Sequence, residues 1–227
     1  MNDAARCFAL VPCAGRGARS GQAGAKQYAA VAGRAVVAHT LAALQAVPRL
    51  AGTLVVLAAD DTAFEGHAPG FGGWVCRRGG ATRADTVVAG LDELQQRGAT
   101  QDDWVLVHDA ARCLIRAEWV DRLIDACIGD AIGGLLALPL ADTLKAAQGD
   151  RVATTLDRRE KWLAQTPQMF RLGMLQQALL QAQDFTDESS AIEVLGHAPR
   201  LVPGEAENFK LTWPADFALA ARLLETR

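Results

Sequence analysis

Small residues and cations crowd the start of the chain in a pattern suited to holding phosphate. The segment Pro12-Cys13-Ala14-Gly15-Arg16-Gly17-Ala18-Arg19 follows an apolar run, and Lys26 comes shortly after it. Small residues let a backbone approach a ligand closely and turn its N–H groups toward phosphate oxygens. Arg16, Arg19 and Lys26 add three cations within eleven residues, which on an ordinary strand-to-helix turn would be solvated charges. A short glycine loop is weak evidence alone, and two rival phosphate motifs fail on the letters. A Walker loop requires G-x-x-x-x-G-K-[ST], but Lys26 stands between Ala25 and Gln27. A dinucleotide fingerprint requires a third glycine where Ser20 stands, and its acid would arrive only at Asp60 or Asp61, far too late.

Two later segments carry further chemistry. Gly79-Gly80-Ala81-Thr82-Arg83-Ala84-Asp85-Thr86 puts glycines just before an expected helix, whose first backbone groups are left free to meet a ligand. Arg83 falls in the first helical turn, where the helix dipole opposes a cation. It therefore calls for a negative partner, either a ligand or Asp85. The string His108-Asp109-Ala110-Ala111-Arg112 ends an apolar run. A carboxylate there, after a buried strand, either caps the following loop or stands at the usual edge for chemistry. His108 reads as an orienting or packed residue, since no other histidine has useful spacing to it.

The elements that must position these groups alternate along the chain. Cys7–Val11, Gly52–Ala58, Trp74–Cys76, Trp104–Val107 and Ile132–Leu138 read as strands. Helices are expected over Ala35–Ala46, Thr82–Arg97, Glu118–Ile128, Leu172–Ala182 and Pro214–Leu224. Thr82 and Asp85 form the pattern of a capping box. Such alternation predicts an α/β fold with a mostly parallel twisted sheet and helices on both faces. From Asp142 to Phe170 the chain turns polar and loses the helical period, which predicts an extended β-arm inserted at about 140–165. Residues 1–227 otherwise read as one domain.

Bulk properties narrow the class. A formal charge of -3 offers no basic surface for nucleic acid, so a polyanion must be met by a few placed cations. No uncharged apolar run is long enough for a membrane span, and no signal peptide is evident. Five cysteines without a C-x-x-C pair argue against zinc or a disulfide framework and predict a reducing cytoplasm.

Taken together, the strings resemble those of the sugar-phosphate cytidylyltransferases. The glycine loop, Lys26-Gln27-Tyr28, Gly79 to Thr86 and Val105 to Arg112 match in order. So do Asp142-Thr143-x-Lys145, Asp157-Arg158, Thr166-Pro167-Gln168, Thr186 to Ala191 and Asn208-Phe209-Lys210. They span about residues 7 to 213. The resemblance implies a Rossmann-like nucleotidyltransferase fold that transfers the cytidylyl group of CTP to a polyol phosphate with magnesium bound. The expected acceptor is 2-C-methyl-D-erythritol 4-phosphate, with ribitol 5-phosphate, or a non-catalytic nucleotide-binding module, as alternatives.

The resemblance also implies roles. Arg19, Lys26 and Lys210 would be catalytic, and Cys13, Ala14, Gly15, Gly17, Gly80, Ala81, Arg83 and Thr86 would bind nucleotide. Asp109, Arg112, Thr143, Arg158 and Thr166 would bind acceptor, with Asp109 also beside the metal. The arm would reach a second subunit, so Thr143 and Arg158 would complete the neighbour's site in a homodimer. Some positions depart from the family. Ala81 stands where an acid is frequent, which could loosen base preference, and Thr86 replaces a serine. Ala25 and Cys113 each stand where proline is common, a change of loop stiffness more than chemistry. Relatives are sometimes fused to a cyclodiphosphate synthase; because the last expected helix closes just before Arg227, no fused partner is expected here.

Overall fold

A computed structural model describes residues 5–15, 25–182 and 185–227. β1 (Cys7–Pro12) leads to a 3-10 turn at Lys26–Tyr28, a hairpin of β2 (Ala30–Val31) and β3 (Arg34–Ala35), then α1 (Val36–Gln45). There follow β4 (Leu50–Ala58), α2 (Phe64–His67), β5 (Trp74–Gly79), α3 (Arg83–Gln96), β6 (Trp104–Val107), α4 (Ala117–Cys127) and β7 (Gly133–Pro139). The chain continues through β8 (Leu144–Gln148), β9 (Arg151–Leu156), β10 (Trp162–Arg171), α5 (Leu172–Gln181), α6 (Glu188–Val194), β11 (Arg200–Pro203) and α7 (Pro214–Glu225).

Seven strands form the central sheet in the order β11-β7-β10-β6-β1-β4-β5. All neighbours pair in parallel except β10, which runs antiparallel to both β6 and β7. The sheet is the mostly parallel α/β arrangement expected. Period-two alternation sends successive β1 side chains to opposite faces. Cys7, Ala9 and Val11 pack with Leu41 and Leu44 of α1 and with Leu123 and Ile124 of α4. Phe8 and Leu10 pack with Val87, Leu91 and Leu94 of α3 and with Leu175 of α5. A third cluster, including Val31, Leu114, Leu211 and Phe217, seats α7 beside the β2–β3 hairpin.

The chain builds β4 and β5 on one side of β1, then returns to place β6 on the other. That reversal opens a crevice beyond the carboxyl ends of β1 and β6, the usual ligand position in such sheets. Cys13 to Gly15 and Asp109 to Arg112 fall at those ends, with Gly80 to Arg83 beside them after β5.

The arm reading needs correction. Within the expected arm, only β8 and β9 stand apart as a two-stranded sheet, and every residue of β9 is exposed. The return leg, expected in the arm as far as Phe170, is instead central strand β10, paired with β7 from Trp162 and buried from Gln165 to Phe170. Its polar residues Gln165, Thr166 and Gln168 concealed it, because their side chains serve the cleft and α6 rather than solvent. The third strand also runs three residues further than expected, to Gly79. The short elements β2, β3, α2, α6 and β11 were not anticipated.

Candidate active site

Three strand ends meet at one cleft. Residues after β1 (Cys13, Ala14, Gly15), after β5 (Gly80 to Arg83, with Thr86) and after β6 (Asp109 to Ala111) line a cavity of about 230 Å³ with Lys26, Gln27 and Lys210. The glycines are sterically required. A Cβ on Gly79 would lie 2.5 Å from the Ala14 Cβ, and one on Gly80 would lie 2.2 Å from the Asp85 Cβ. Asp85 cannot yield, because it completes the α3 capping box. Its backbone N–H donates to Thr82 Oγ1, and its carboxylate accepts from the Thr82 N–H, both at 3.0 Å.

The turn that carries Lys26 is tied to its surroundings on both sides. Buried Gln27 donates from Nε2 to the Cys13 carbonyl at 3.0 Å, and the Tyr28 hydroxyl donates to Asp61 Oδ2 at 2.6 Å. Lys26 Nζ donates to the Leu211 carbonyl at 3.1 Å. Lys210 arrives from a remote segment that is stitched in place. Asn208 Nδ2 donates to the Thr166 carbonyl at 2.9 Å, and the Leu211 N–H donates to the Ala111 carbonyl at 2.9 Å.

Asp109 is the electrostatic centre. Arg83 Nε reaches its Oδ1 at 3.0 Å and Lys210 Nζ reaches its Oδ2 at 2.7 Å, with Arg112 Nε 3.9 Å from the latter. Burial alone would raise the Asp109 pKa, but Arg83 and Lys210 overcome it and hold the carboxyl well below the usual range. The rest of the Arg83 guanidinium forks onto Glu188, whose Oε1 and Oε2 accept from Nη1 and Nη2 at 2.5 and 3.0 Å. Burial would lower the Arg83 pKa, and Glu188 and Asp109 more than reverse it. The partner expected for Arg83 was a ligand or Asp85; the structure supplies Asp109 and Glu188. Glu188 escaped the sequence reading, although it lies in the matched Thr186–Ala191 string. An acid at the first turn of a short helix looks like an ordinary dipole complement.

A hydrogen-bond chain fixes the Asp109 backbone. The Asp109 N–H donates to Thr166 Oγ1 at 3.0 Å, and that oxygen lies 3.1 Å from His108 Nδ1. His108 Nε2 lies 3.3 Å from the Arg112 carbonyl, which can only accept. The consistent assignment is a neutral ring donating from Nε2, with the Thr166 hydroxyl donating to Nδ1. Burial drives the His108 pKa down to about 4 despite Asp109 nearby. His108 is thus packed and hydrogen-bonded, in line with the orienting or packed residue expected.

A second cavity of about 180 Å³ adjoins the first and shares Arg83, Asp109 and Lys210 with it. Arg112, Ala164, Gln165, Thr166, Gln168, Thr186 and Asp187 complete its wall. Arg112 is held by the Asn208 and Ala164 carbonyls, at 2.6 and 3.3 Å. The structure therefore gathers Cys13, Ala14, Gly15, Lys26, Gly80, Ala81, Arg83, Thr86, Asp109, Arg112, Thr166 and Lys210 around one double cleft. Thr143 and Arg158 lie on the arm and line neither cavity; Arg158 donates to the Ala141 carbonyl. Gly17 and Arg19 lie outside the described residues.

As a metal site the cleft is thin. Both Asp109 oxygens already face cations, Glu188 is turned to Arg83, and the described residues hold no group of three or more His, Cys, Asp or Glu suited to a metal ion. None of the described helices is long and apolar enough to cross a membrane. The described cysteines are all buried and unpaired.

A profile of the family described as 2-C-methyl-D-erythritol 4-phosphate cytidylyltransferase (IspD) matches residues 7–226. The 2-C-methyl-D-erythritol 4-phosphate cytidylyltransferase of Burkholderia cenocepacia is 54% identical over 226 residues, covering 96% of each chain. The bifunctional enzyme IspD/IspF of Albidiferax ferrireducens is 58% identical over 98% of this chain, and the chain spans about half (54%) of that relative. Among solved structures, a 4-diphosphocytidyl-2C-methyl-D-erythritol synthase superposes with a TM-score of 0.87 at 40% identity, over 97% of this chain and 98% of the other. The 2-C-methyl-D-erythritol 4-phosphate cytidylyltransferase of Thermus thermophilus gives a TM-score of 0.81 at 31% identity, over 97% and 99%.

Proposed function

The chain belongs to the 2-C-methyl-D-erythritol 4-phosphate cytidylyltransferase family, and from that premise we propose that it transfers the cytidylyl group of CTP to 2-C-methyl-D-erythritol 4-phosphate. The products are 4-(cytidine 5'-diphospho)-2-C-methyl-D-erythritol, an isoprenoid precursor, and pyrophosphate. One observation carries this reading onto the site: two adjoining cavities share Arg83, Asp109 and Lys210. That is the layout needed by two phosphate-bearing substrates that react with each other.

In the reaction an acceptor phosphate oxygen attacks the α-phosphorus of CTP. The bond to the bridging oxygen of the β-phosphate breaks, and its electrons leave with pyrophosphate. The acceptor needs no general base, since a phosphate monoester with a second pKa near 6 is mostly dianionic at pH 7. This suits a cleft whose carboxylate is held ionised against cations and whose histidine is buried and neutral. The protein's work is placement and fixed positive charge where the phosphoryl oxygens gain it. Lys26 and Lys210 supply that charge, with Arg19 joining them from the glycine loop. Cys13 to Gly15, Gly17, and Gly80 to Thr86 hold the nucleoside and triphosphate. Asp109, Arg112 and Thr166 face the acceptor.

Magnesium would be held chiefly by the CTP phosphates and waters, with Asp109, which faces Arg83 and Lys210, as the protein carboxylate beside it. Residues 1–227 act as one catalytic domain. The β8–β9 arm docks on a second copy and delivers Thr143 and Arg158 to its acceptor cavity; the exposed Val152 and Leu156 favour such docking. The unpaired cysteines fit a reducing cytoplasm.

Pyrophosphate release tests the reading, measured with CTP and either 2-C-methyl-D-erythritol 4-phosphate or ribitol 5-phosphate, with and without magnesium. Magnesium-dependent release with the first acceptor is expected. Faster release with ribitol 5-phosphate reassigns the acceptor, and none with either sinks the proposal.

A further inference from the structure

Glu188 lines neither cavity itself, yet it is fully buried and holds Arg83, a cation that belongs to both cavities. Its placement is elaborate. Asp187 caps α6, accepting from the Ser190 N–H at 3.0 Å and from Gln168 Nε2 at 2.8 Å. Gln168 Oε1 in turn accepts from the Ser189 N–H at 2.7 Å. The first turn of α6 is thereby clamped to the central strand β10, and Glu188 is delivered to Arg83 across 105 residues of sequence.

A guanidinium fork presents its donors in fixed pairs that match a carboxylate. Arg83 commits both terminal nitrogens to Glu188, and only Nε reaches Asp109, on Oδ1. Asp109 Oδ2 is left to Lys210, at 2.7 Å. Without the Glu188 charge, the nearest anion able to accept a fork from Arg83 is Asp109. Capture of both its oxygens would set Arg83 in direct competition with Lys210 at Oδ2.

We infer that Glu188 is a positioning residue that restrains the Arg83 fork and so keeps Lys210 seated on Asp109 at the junction of the nucleotide and acceptor cavities. The kinetic part of this inference rests on the function proposed above; the geometric part does not. Buried carboxylates of this kind are costly unless paired, and replacing a whole buried pair by apolar residues is often tolerated where removing one partner is not. That asymmetry supplies the test.

In Glu188→Gln, Lys210 released from Asp109 should be acetylated by acetic anhydride at least ~3-fold faster than in the wild type, with Lys145 on the arm as internal reference; this follows because a lost ion pair frees the amine. In Arg83→Met/Glu188→Met the Arg83 fork is gone and Arg112 stays 3.9 Å from Asp109 Oδ2 as in the wild type, so Lys210 labelling should return to the wild-type rate. The double variant also keeps the test open if Glu188→Gln folds poorly: fast Lys210 labelling in a folded double variant overturns the inference. Wild-type labelling in folded Glu188→Gln overturns it as well. In turnover, Glu188→Gln should lower kcat by about tenfold and raise the acceptor KM, with the CTP KM within ~2-fold of wild type. A uniform loss in all three constants, tracking a lower Tm, marks a merely structural residue. If wild-type protein releases no pyrophosphate, the proposed function fails while the two labelling rates still decide the role of Glu188.

Discussion

Two ion pairs of nearly equal length separate the cleft from the arm. Lys210 lies 2.7 Å from Asp109, and Arg159 lies 2.6 Å from Asp157 at the arm's end. The Asp109 side chain is 11% exposed and has two further cations near it, whereas the Asp157 side chain is 56% exposed and meets one. Solvent and salt screen the second pair, and its flexible arginine loses entropy in holding one geometry. In the cleft the low local dielectric strengthens every attraction and equally penalises any charge left unpaired. Distance alone therefore says little about which charged groups matter. The cleft acts through what it confines, whereas the arm, in the proposed dimer, would act through what it reaches.

The sharpest contrast should come from charge aimed at the reacting phosphates. Lys26→Ala is expected to cut turnover by about two orders of magnitude or more, the loss that follows removal of one donor to a developing oxyanion. Arg159→Ala, which deletes the 2.6 Å ion pair on the arm, should leave folding stability unchanged. Steady-state pyrophosphate release and thermal melts of both variants check this. Near-normal turnover of Lys26→Ala, or an equal loss of stability in both, erases the distinction.

The cleft's confinement also predicts a pH signature that the arm cannot give. His108 is held neutral in the folded state, with its pKa lowered to about 4 from an ordinary value of 6.5. The unfolded chain therefore takes up this proton first, so stability is intact above about pH 6.5 and is lost as pH falls toward 4. The span of about 2.5 units corresponds to a loss on the order of 3 kcal/mol by pH 4. Asp109 titrates differently. Its depressed pKa leaves its contribution intact above the ordinary carboxylate range and lost only below it. Urea unfolding at pH 7, 5.5 and 4.5 should show the His108→Asn curve flatter than the wild type across this window. Parallel curves would mean that His108 is not held neutral.

The same contrast explains what could be read from the sequence. The parallel strands were legible because burial on both faces leaves continuous apolar runs, as in Phe8 to Val11 and Trp104 to Val107. The α3 start was legible because Thr82 and Asp85 spell out their own reciprocal bonds. β10 was not, since Gln165, Thr166 and Gln168 are polar for reasons that lie outside the strand: Asn208, the His108–Asp109 corner and the α6 cap. Glu188 was hidden for a related reason. Its partner is 105 residues away, and only the sheet order brings α6 across to the start of α3. Local spacing announces caps, turns and loops, but a network assembled by crossover connections appears only once the strands are ordered.

The arm's separateness sets up the smallest and most pointed expectation. Arg158 contacts the Ala141 carbonyl of its own arm and lines neither cavity. Arg158→Ala should leave stability and the CTP KM unchanged while raising the acceptor KM by about tenfold, the scale of one lost charge-assisted phosphate contact. Such an effect at a residue remote from its own cleft requires delivery to a neighbour, and mixing separates that from a distortion within one chain. When Lys26→Ala and Arg158→Ala proteins are dissociated and reassociated together, a mixed dimer contains one doubly impaired site. Its other site keeps Lys26 from one protomer and Arg158 from its partner. Random assortment then restores normal kinetics at low acceptor concentration in about a quarter of all sites. If the arm serves only its own chain, no mixed dimer contains an intact site and mixing recovers nothing.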